Sequence, residues 1–303
     1  MVRNFLFHRI SPDRDPLWDP MDPDLFSKCL RHISENYDVI TIEDLPHAKL
    51  HEQTATISFD DGYKDNIEVA LPILEKYRVK ASFYVATDCI DNQTPTWTYY
   101  LEHLFKNTQK PELNIDFEYL PEGMRVKQLQ DYNSRIAYVK KLKPLLKNLT
   151  LAQRREVVLH VSGIYNDVEK PNVMMTWEDL KKLRQLGHQV GSHTKSHTML
   201  GHLSDETRLI EELKGSRDRI FEMLGENPKT ISYPNGSYNQ RVTELSKEYG
   251  YLSGLAVKQD VYIPGRDSIF EIPRIELYNE PWWKTKLRIS NSLERIKKVL
   301  RYK

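Results

Sequence analysis

Short apolar runs alternate with amphipathic stretches along most of this chain. Phe5-Leu6-Phe7 predicts a first strand over 5–10. A loop rich in Pro and Asp follows from Asp13 to Asp24, and Pro23-Asp24 opens a helix running to about Asn36. Tyr37 to Ile42 reads as extended, with Glu43-Asp44-Leu45 after it. The β-branched run Thr54-Ala55-Thr56-Ile57 predicts a buried strand over 54–59, then a helix over 66–77 and a strand over 80–86. Further along, Gln189-Val190 ends another strand. Alternating β and α segments imply an α/β fold whose parallel sheet is closed or nearly closed into a barrel.

Residues 91–172 break this alternation. Trp97 to Phe105 is amphipathic with helical spacing, and Val126 to Lys143 and Leu151 to His160 are helix-like, with Pro144 marking a break between them. The segment reads as an α-helical insertion within one barrel domain spanning 1–280. It either shapes the ligand site or serves as a packed cap. A third pattern covers 281–303, where Trp283, Leu287, Leu293, Ile296 and Leu300 recur near helical spacing beside Trp282. Lys284 to Lys303 carry eight Lys/Arg and one Glu. A basic amphipathic helix of this kind suits peripheral contact with an anionic membrane, and equally a helix packed on the barrel with a solvated basic face.

Charge and cysteine usage narrow the class. A net charge of +1 argues against a nucleic-acid binder. Two cysteines, Cys29 in a helix and Cys89 in a loop, make no disulfide framework and favour a reducing compartment. The start Met1-Val2-Arg3-Asn4-Phe5 reaches polar residues by His8-Arg9, too soon for a signal segment. A cytoplasmic protein is expected, with the C-terminal helix at the inner face of the membrane if it binds lipid.

Candidate chemistry lies at two strand ends. The strand over 54–59 runs into Ser58-Phe59-Asp60-Asp61-Gly62, and Gly191-Ser192 leads into His193-Thr194-Lys195-Ser196-His197. Strand C-termini are where ligand-facing groups collect in α/β proteins. Adjacent Asp side chains on extended backbone point apart, so one can bind a metal while the other stays free as a base. His193 and His197 share a face if the segment turns helically. Two imidazoles and one carboxylate leave metal positions open to water and substrate, which suits hydrolysis. Taken alone, Asp-Asp-Gly is an ordinary turn and His-x-x-x-His a surface pair. Together, each after a predicted strand, they point to a shared metal site.

These residues resemble the polysaccharide deacetylase family, also called the NodB-homology or carbohydrate esterase family 4 fold. Its first motif, T-F-D-D-G, corresponds to Ser58 to Gly62, and its second, H-[ST]-x-x-H, to His193 to His197. Leu71 to Tyr77, Lys80 to Val85, Met175 to His193 and Ile231 to Gly236 resemble its intervening segments, so the likeness covers about 5–90 and 172–275. The resemblance implies a distorted (β/α)7 barrel and a divalent metal, most often zinc, on Asp61, His193 and His197, with Asp60 as base. It also implies an oxyanion-binding amide at Asn235, where Tyr233-Pro234-Asn235-Gly236 would otherwise be an ordinary turn.

Two departures stand out. The family's third motif, R-x-P-Y, here has Ser232 in the Arg position and Asn235 in the Tyr position. Arg274, in Ile272-Pro273-Arg274-Ile275, is the candidate to orient Asp60 through a bidentate contact, against a surface Arg flanking a strand. The final motif's His is also absent, and His8, at the end of the first strand, is its substitute as general acid. The expected activity is metal-dependent removal of acetyl from an N-acetylated amino sugar in a glycan or glycan precursor. The alternatives are a sugar-binding protein with weak or no catalysis, and a deacetylase of an O-acetyl or non-sugar amide substrate.

Overall fold

The structure, a computed structural model, describes residues 1–293 and divides into two compact units. The first comprises Met1–Arg14, Pro20–Gln93 and the chain from Val173 on; the second comprises Asp15–Asp19 and Thr94–Asn172. The first unit begins with β1 (Val2–Phe7), α1 (Pro23–Asn36), β2 (Asp38–Val39), β3 (Thr54–Phe59), α2 (Leu71–Lys76), β4 (Ser82–Val85) and α3 (Thr87–Asp91). The second contains α4 (Trp97–Asn107), β5 (Glu112–Asn114), α5 (Glu122–Arg125), β6 (Val126–Gln128), α6 (Tyr132–Lys147) and α7 (Leu151–Ile164). The first resumes with α8 (Trp177–Gln185), β7 (Gln189–Ser192), α9 (Glu206–Ile210) and α10 (Ser216–Leu224). It continues through β8 (Thr230–Ser232), α11 (Gln240–Glu248), β9 (Ser253–Leu255), β10 (Ile275–Glu276) and α12 (Trp282–Ile289).

The expected parallel barrel is present. Seven strands run β10-β1-β3-β4-β7-β8-β9, every neighbouring pair parallel, with β2 beside β3. A further bridge between Leu255 and Ile272 draws the ends of this path together. β3 is buried along its whole length, as expected of a strand covered on both faces. Its two-residue alternation decides what the site receives. Phe59 stacks on Phe7 and Phe83 at 5.5 and 5.0 Å, and Phe26 of α1 closes against Phe7 and Phe59. Ser58 and Asp60 therefore face the opposite way, into the barrel.

The second unit departs from its expected outline. Val126 begins not a helix but β6, which pairs antiparallel with β5. Pro144 does not break the chain either: α6 passes through it to Lys147. Leu142 and Leu146 are buried on either side of Pro144, while Lys140, whose carbonyl loses its partner, is exposed. The unit's core joins Leu101, Leu104 and Phe105 of α4 to Val139 and Leu142 of α6 and Val157 and Val161 of α7.

Within the basic helix expected over 281–303, the described helix α12 ends at Ile289 and the chain turns at Ser290-Asn291. Asn291 takes a left-handed conformation at φ 60°, which Asn tolerates, and its Nδ2 donates to Asp260 Oδ1. Arg288 is buried against Glu280 and over the Tyr278 ring rather than on a basic face. Ile296 and Leu300 lie outside the described residues. Cys89 sits in the short helix α3 rather than a loop, and both cysteines are free and buried. Among the described residues no helix is long and apolar enough to cross a membrane.

Candidate metal centre

Four strand ends deliver the site: β1 leads to His8, β3 to Asp60-Asp61, β7 to His193, and β8 ends on Ser232. After β3 the chain turns sharply, Asp61 at φ 76° and Gly62 at φ 81°. Glycine suits the second of these positions, where a side chain would be both strained and crowded. A Cβ on Gly62 would lie 3.0 Å from Val85 Cγ1 and 3.1 Å from Ile90 Cδ1. This turn separates the two carboxylates.

His193 extends the ladder of β7, its N–H donating to the Val85 carbonyl at 2.9 Å. The helical turn expected between His193 and His197 is absent. A loop brings the rings together instead, with Thr194 at φ 67° and His197 at φ 56°, and their centroids are 4.9 Å apart. His193 and His197 Nε2 lie 3.3 and 3.1 Å from the same oxygen, Asp61 Oδ1.

The donor set fits a divalent cation. Asp61 Oδ1 is buried without a hydrogen-bond partner, and one ligand atom from each of Asp61, His193 and His197 lies within 4.8 Å of the others. His193 Nδ1 donates to the Ser232 carbonyl at 2.7 Å, which leaves Nε2 free to ligate. Burial pushes the Asp61 carboxyl up, but His197, His193 and His8 pull it well below the usual carboxylate range. Nitrogen and oxygen ligands in this number suit zinc with open positions.

Asp60 is held differently. Arg274 Nη1 donates to Oδ1 and Nη2 to Oδ2, each at 2.8 Å, and the Ser232 hydroxyl donates to Oδ2 at 2.9 Å. Arg274 also donates to the Ala256 carbonyl, to Ser58 Oγ and to Ser232 Oγ. It is fully buried, so the reading of a surface Arg does not apply. Burial raises the Asp60 carboxyl, and Arg274, then His193, then His8 outweigh it and keep it ionised. Ser232 thus has two roles that its sequence position did not reveal: its hydroxyl holds Asp60 and its carbonyl holds His193.

His8 and Asn235 reach the same end of the barrel. The charge His8 carries when protonated acts on both Asp60 and Asp61, and its Nδ1 lies 3.5 Å from Glu276 Oε1 of β10. Glu276 in turn accepts from the Tyr278 hydroxyl at 2.6 Å. Asn235 sits in a tight turn at φ 54°, where the Gly236 and Ser237 amides bond to the Tyr233 and Pro234 carbonyls. Nothing among the described residues accepts a hydrogen bond from the Asn235 amide.

The family model described as Polysaccharide deacetylase matches residues 47–125 and 149–254, which include both motif segments and Ser232. The chain belongs to the polysaccharide deacetylase family. Among curated relatives, the Bacillus subtilis (strain 168) protein YxkH is 21% identical over 210 residues, 69% of this chain and 47% of its own length. A second B. subtilis protein, YlxY, is 29% identical over 68 residues, 22% of this chain and 21% of its own length. The chain therefore spans half or less of the length of the curated relatives it matches.

Solved structures share the fold of this family member. The Streptococcus pyogenes deacetylase PplD, in complex with acetate, has a TM-score of 0.61 at 18% identity, covering 97% of this chain and 96% of that one. A de-N-acetylase from Aggregatibacter actinomycetemcomitans has a TM-score of 0.58 at 17% identity, covering 95% of this chain and 99% of that one.

Proposed function

We propose that this protein is a metal-dependent hydrolase that removes acetyl groups from an N-acetylated amino sugar in a glycan or glycan precursor. The observation that carries the reading is the division of labour between adjacent carboxylates. Asp61 faces two imidazoles through an oxygen with no hydrogen-bond partner, while Asp60, beside it, is held by Arg274 and Ser232. Family membership and a fold shared with named deacetylases, one of them with acetate bound, support it.

Asp61, His193 and His197 would hold the divalent ion, zinc by donor type, which when bound polarises the acetyl carbonyl and lowers the pKa of water. Asp60 accepts the proton from the attacking water. Arg274 fixes both of its oxygens and keeps it a carboxylate at neutral pH. The Asn235 amide, free of other acceptors, donates to the oxyanion that develops on the acetyl oxygen. As the C–N bond breaks, the amine nitrogen takes a proton from His8, whose imidazole Glu276 orients, and acetate leaves.

The test is acetate release from N-acetylglucosamine oligomers by purified protein, with and without zinc. The reading expects zinc-dependent release. Zinc-loaded protein that binds the oligomers without releasing acetate would contradict it in favour of a binding protein. Release only from an O-acetylated sugar or a non-sugar amide would move the activity to that class.

A further inference from the structure

The second histidine ligand has an anchoring problem that the first does not. His193 is fixed twice, by its backbone bond to β4 and by its Nδ1 bond to Ser232. His197 Nδ1 is buried and has no hydrogen-bond partner. Ligating imidazoles ordinarily rely on a partner at that nitrogen. The His197 ring must therefore be placed by its backbone, and that backbone is in the left-handed region that side chains disfavour, at His197 and again at Thr194.

Two elements clamp this loop. From one side, the Thr87 and Asp88 amides at the start of α3 donate to the Thr194 and Lys195 carbonyls at 3.2 and 2.8 Å. From the other comes Glu212. Its carboxylate accepts from the Ser196 N–H at 2.8 Å and from the Ser196 hydroxyl, and its carbonyl accepts from the Lys195 N–H at 3.1 Å. Glu212 is fully buried, and Arg208 Nη2 lies 3.1 Å from its Oε1. It belongs to a π-helical turn, Glu211–Gly215, set between α9 and α10. Such turns are rare and concentrate at functional sites.

We infer that Glu212 is a positioning residue for the metal centre, holding the His193–His197 loop in the strained conformation that aims His197 at Asp61. The inference rests on the metal reading given above. A carboxylate is suited to the task because its two oxygens can take the amide and the hydroxyl of one residue together, with Arg208 balancing its charge.

The experiment measures zinc affinity by chelator competition on the full chain, beside thermal melting of the zinc-free protein. Glu212→Ala should weaken zinc binding about 10-fold, the lower end of the cost of losing a group bonded directly to a ligand, because Glu212 acts through the loop backbone. Glu212→Gln keeps one acceptor oxygen and should weaken it less. Leu245→Ala, in the buried face of α11, serves as a control for lost stability alone and should leave zinc affinity unchanged. Unchanged zinc affinity in Glu212→Ala overturns the inference, as does an equal loss in Leu245→Ala. If Glu212→Ala yields no folded protein, Glu212→Gln is judged by the same two criteria. Failure of the wild type to bind zinc would sink the metal reading itself, and this inference with it.

Discussion

At Asp60, a guanidinium and a hydroxyl place three donated hydrogen bonds on one buried carboxylate, within a strand end that admits no water-exposed alternative. Removing one partner of such a pair leaves an uncompensated buried charge. Arg274→Met should therefore destabilise the protein by about 3–5 kcal/mol in urea melts, with Asp60→Asn added to it recovering part of the loss. Ser232→Ala removes one neutral donor and should cost about 1–2 kcal/mol. That Asp60, Asp61, His193 and His197 would meet was legible in the sequence because two polar motifs each follow a strand. Arg274 was legible once the usual Arg position held a serine. The Ser232 hydroxyl was not, because its bond to Asp60 spans 172 residues and no local pattern encodes it.

Among the elements, the pattern of apolar residues located β3 and β4, which are buried along their whole length, and helices such as α1, which bury one face. It failed where a single residue changes the backbone. The helix expected over 66–77 opens with a π-turn, Asn66–Ala70, in which buried Asn66 donates to the His8 carbonyl at 2.7 Å. An i→i+5 turn shifts only one residue and leaves the periodicity nearly intact. The loop joining the two histidines escaped for the same reason, since spacing alone suits both a helical turn and a left-handed loop. Pro144 was read as a break from its chemistry, yet α6 runs on across it with Leu142 and Leu146 buried on either side. If so, Pro144→Ala restores a donor within a continuous helix and should stabilise the protein, by up to about 3 kcal/mol, in thermal melts. A loss of stability would mean that the chain needs the proline there.

For the molecule as a whole, stability should respond to mild acid through His188. Its side chain is buried, with Nδ1 accepting from the Ala81 amide and Nε2 against Glu75. Burial, then Lys80, pulls its pKa below the ordinary value of 6.5, against Glu75 and Ala81. The unfolded chain then binds more protons than the folded one just below that value, so stability is fully present above about pH 6.5 and declines as pH falls through the folded pKa. His188→Gln should flatten this part of the pH–stability curve; an unchanged slope would assign it to other groups.

The proposed function depends, at this scale, on the barrel bringing segments far apart in sequence to one end, where neighbouring carboxylates would take opposite tasks. The most direct test compares wild type, Asp60→Asn and Asp61→Asn for bound zinc and for acetate released from N-acetylglucosamine oligomers. The division of labour predicts that Asp60→Asn keeps its zinc and loses release, while Asp61→Asn loses both. Zinc lost from Asp60→Asn but retained by Asp61→Asn, or full acetate release by Asp60→Asn, would contradict it.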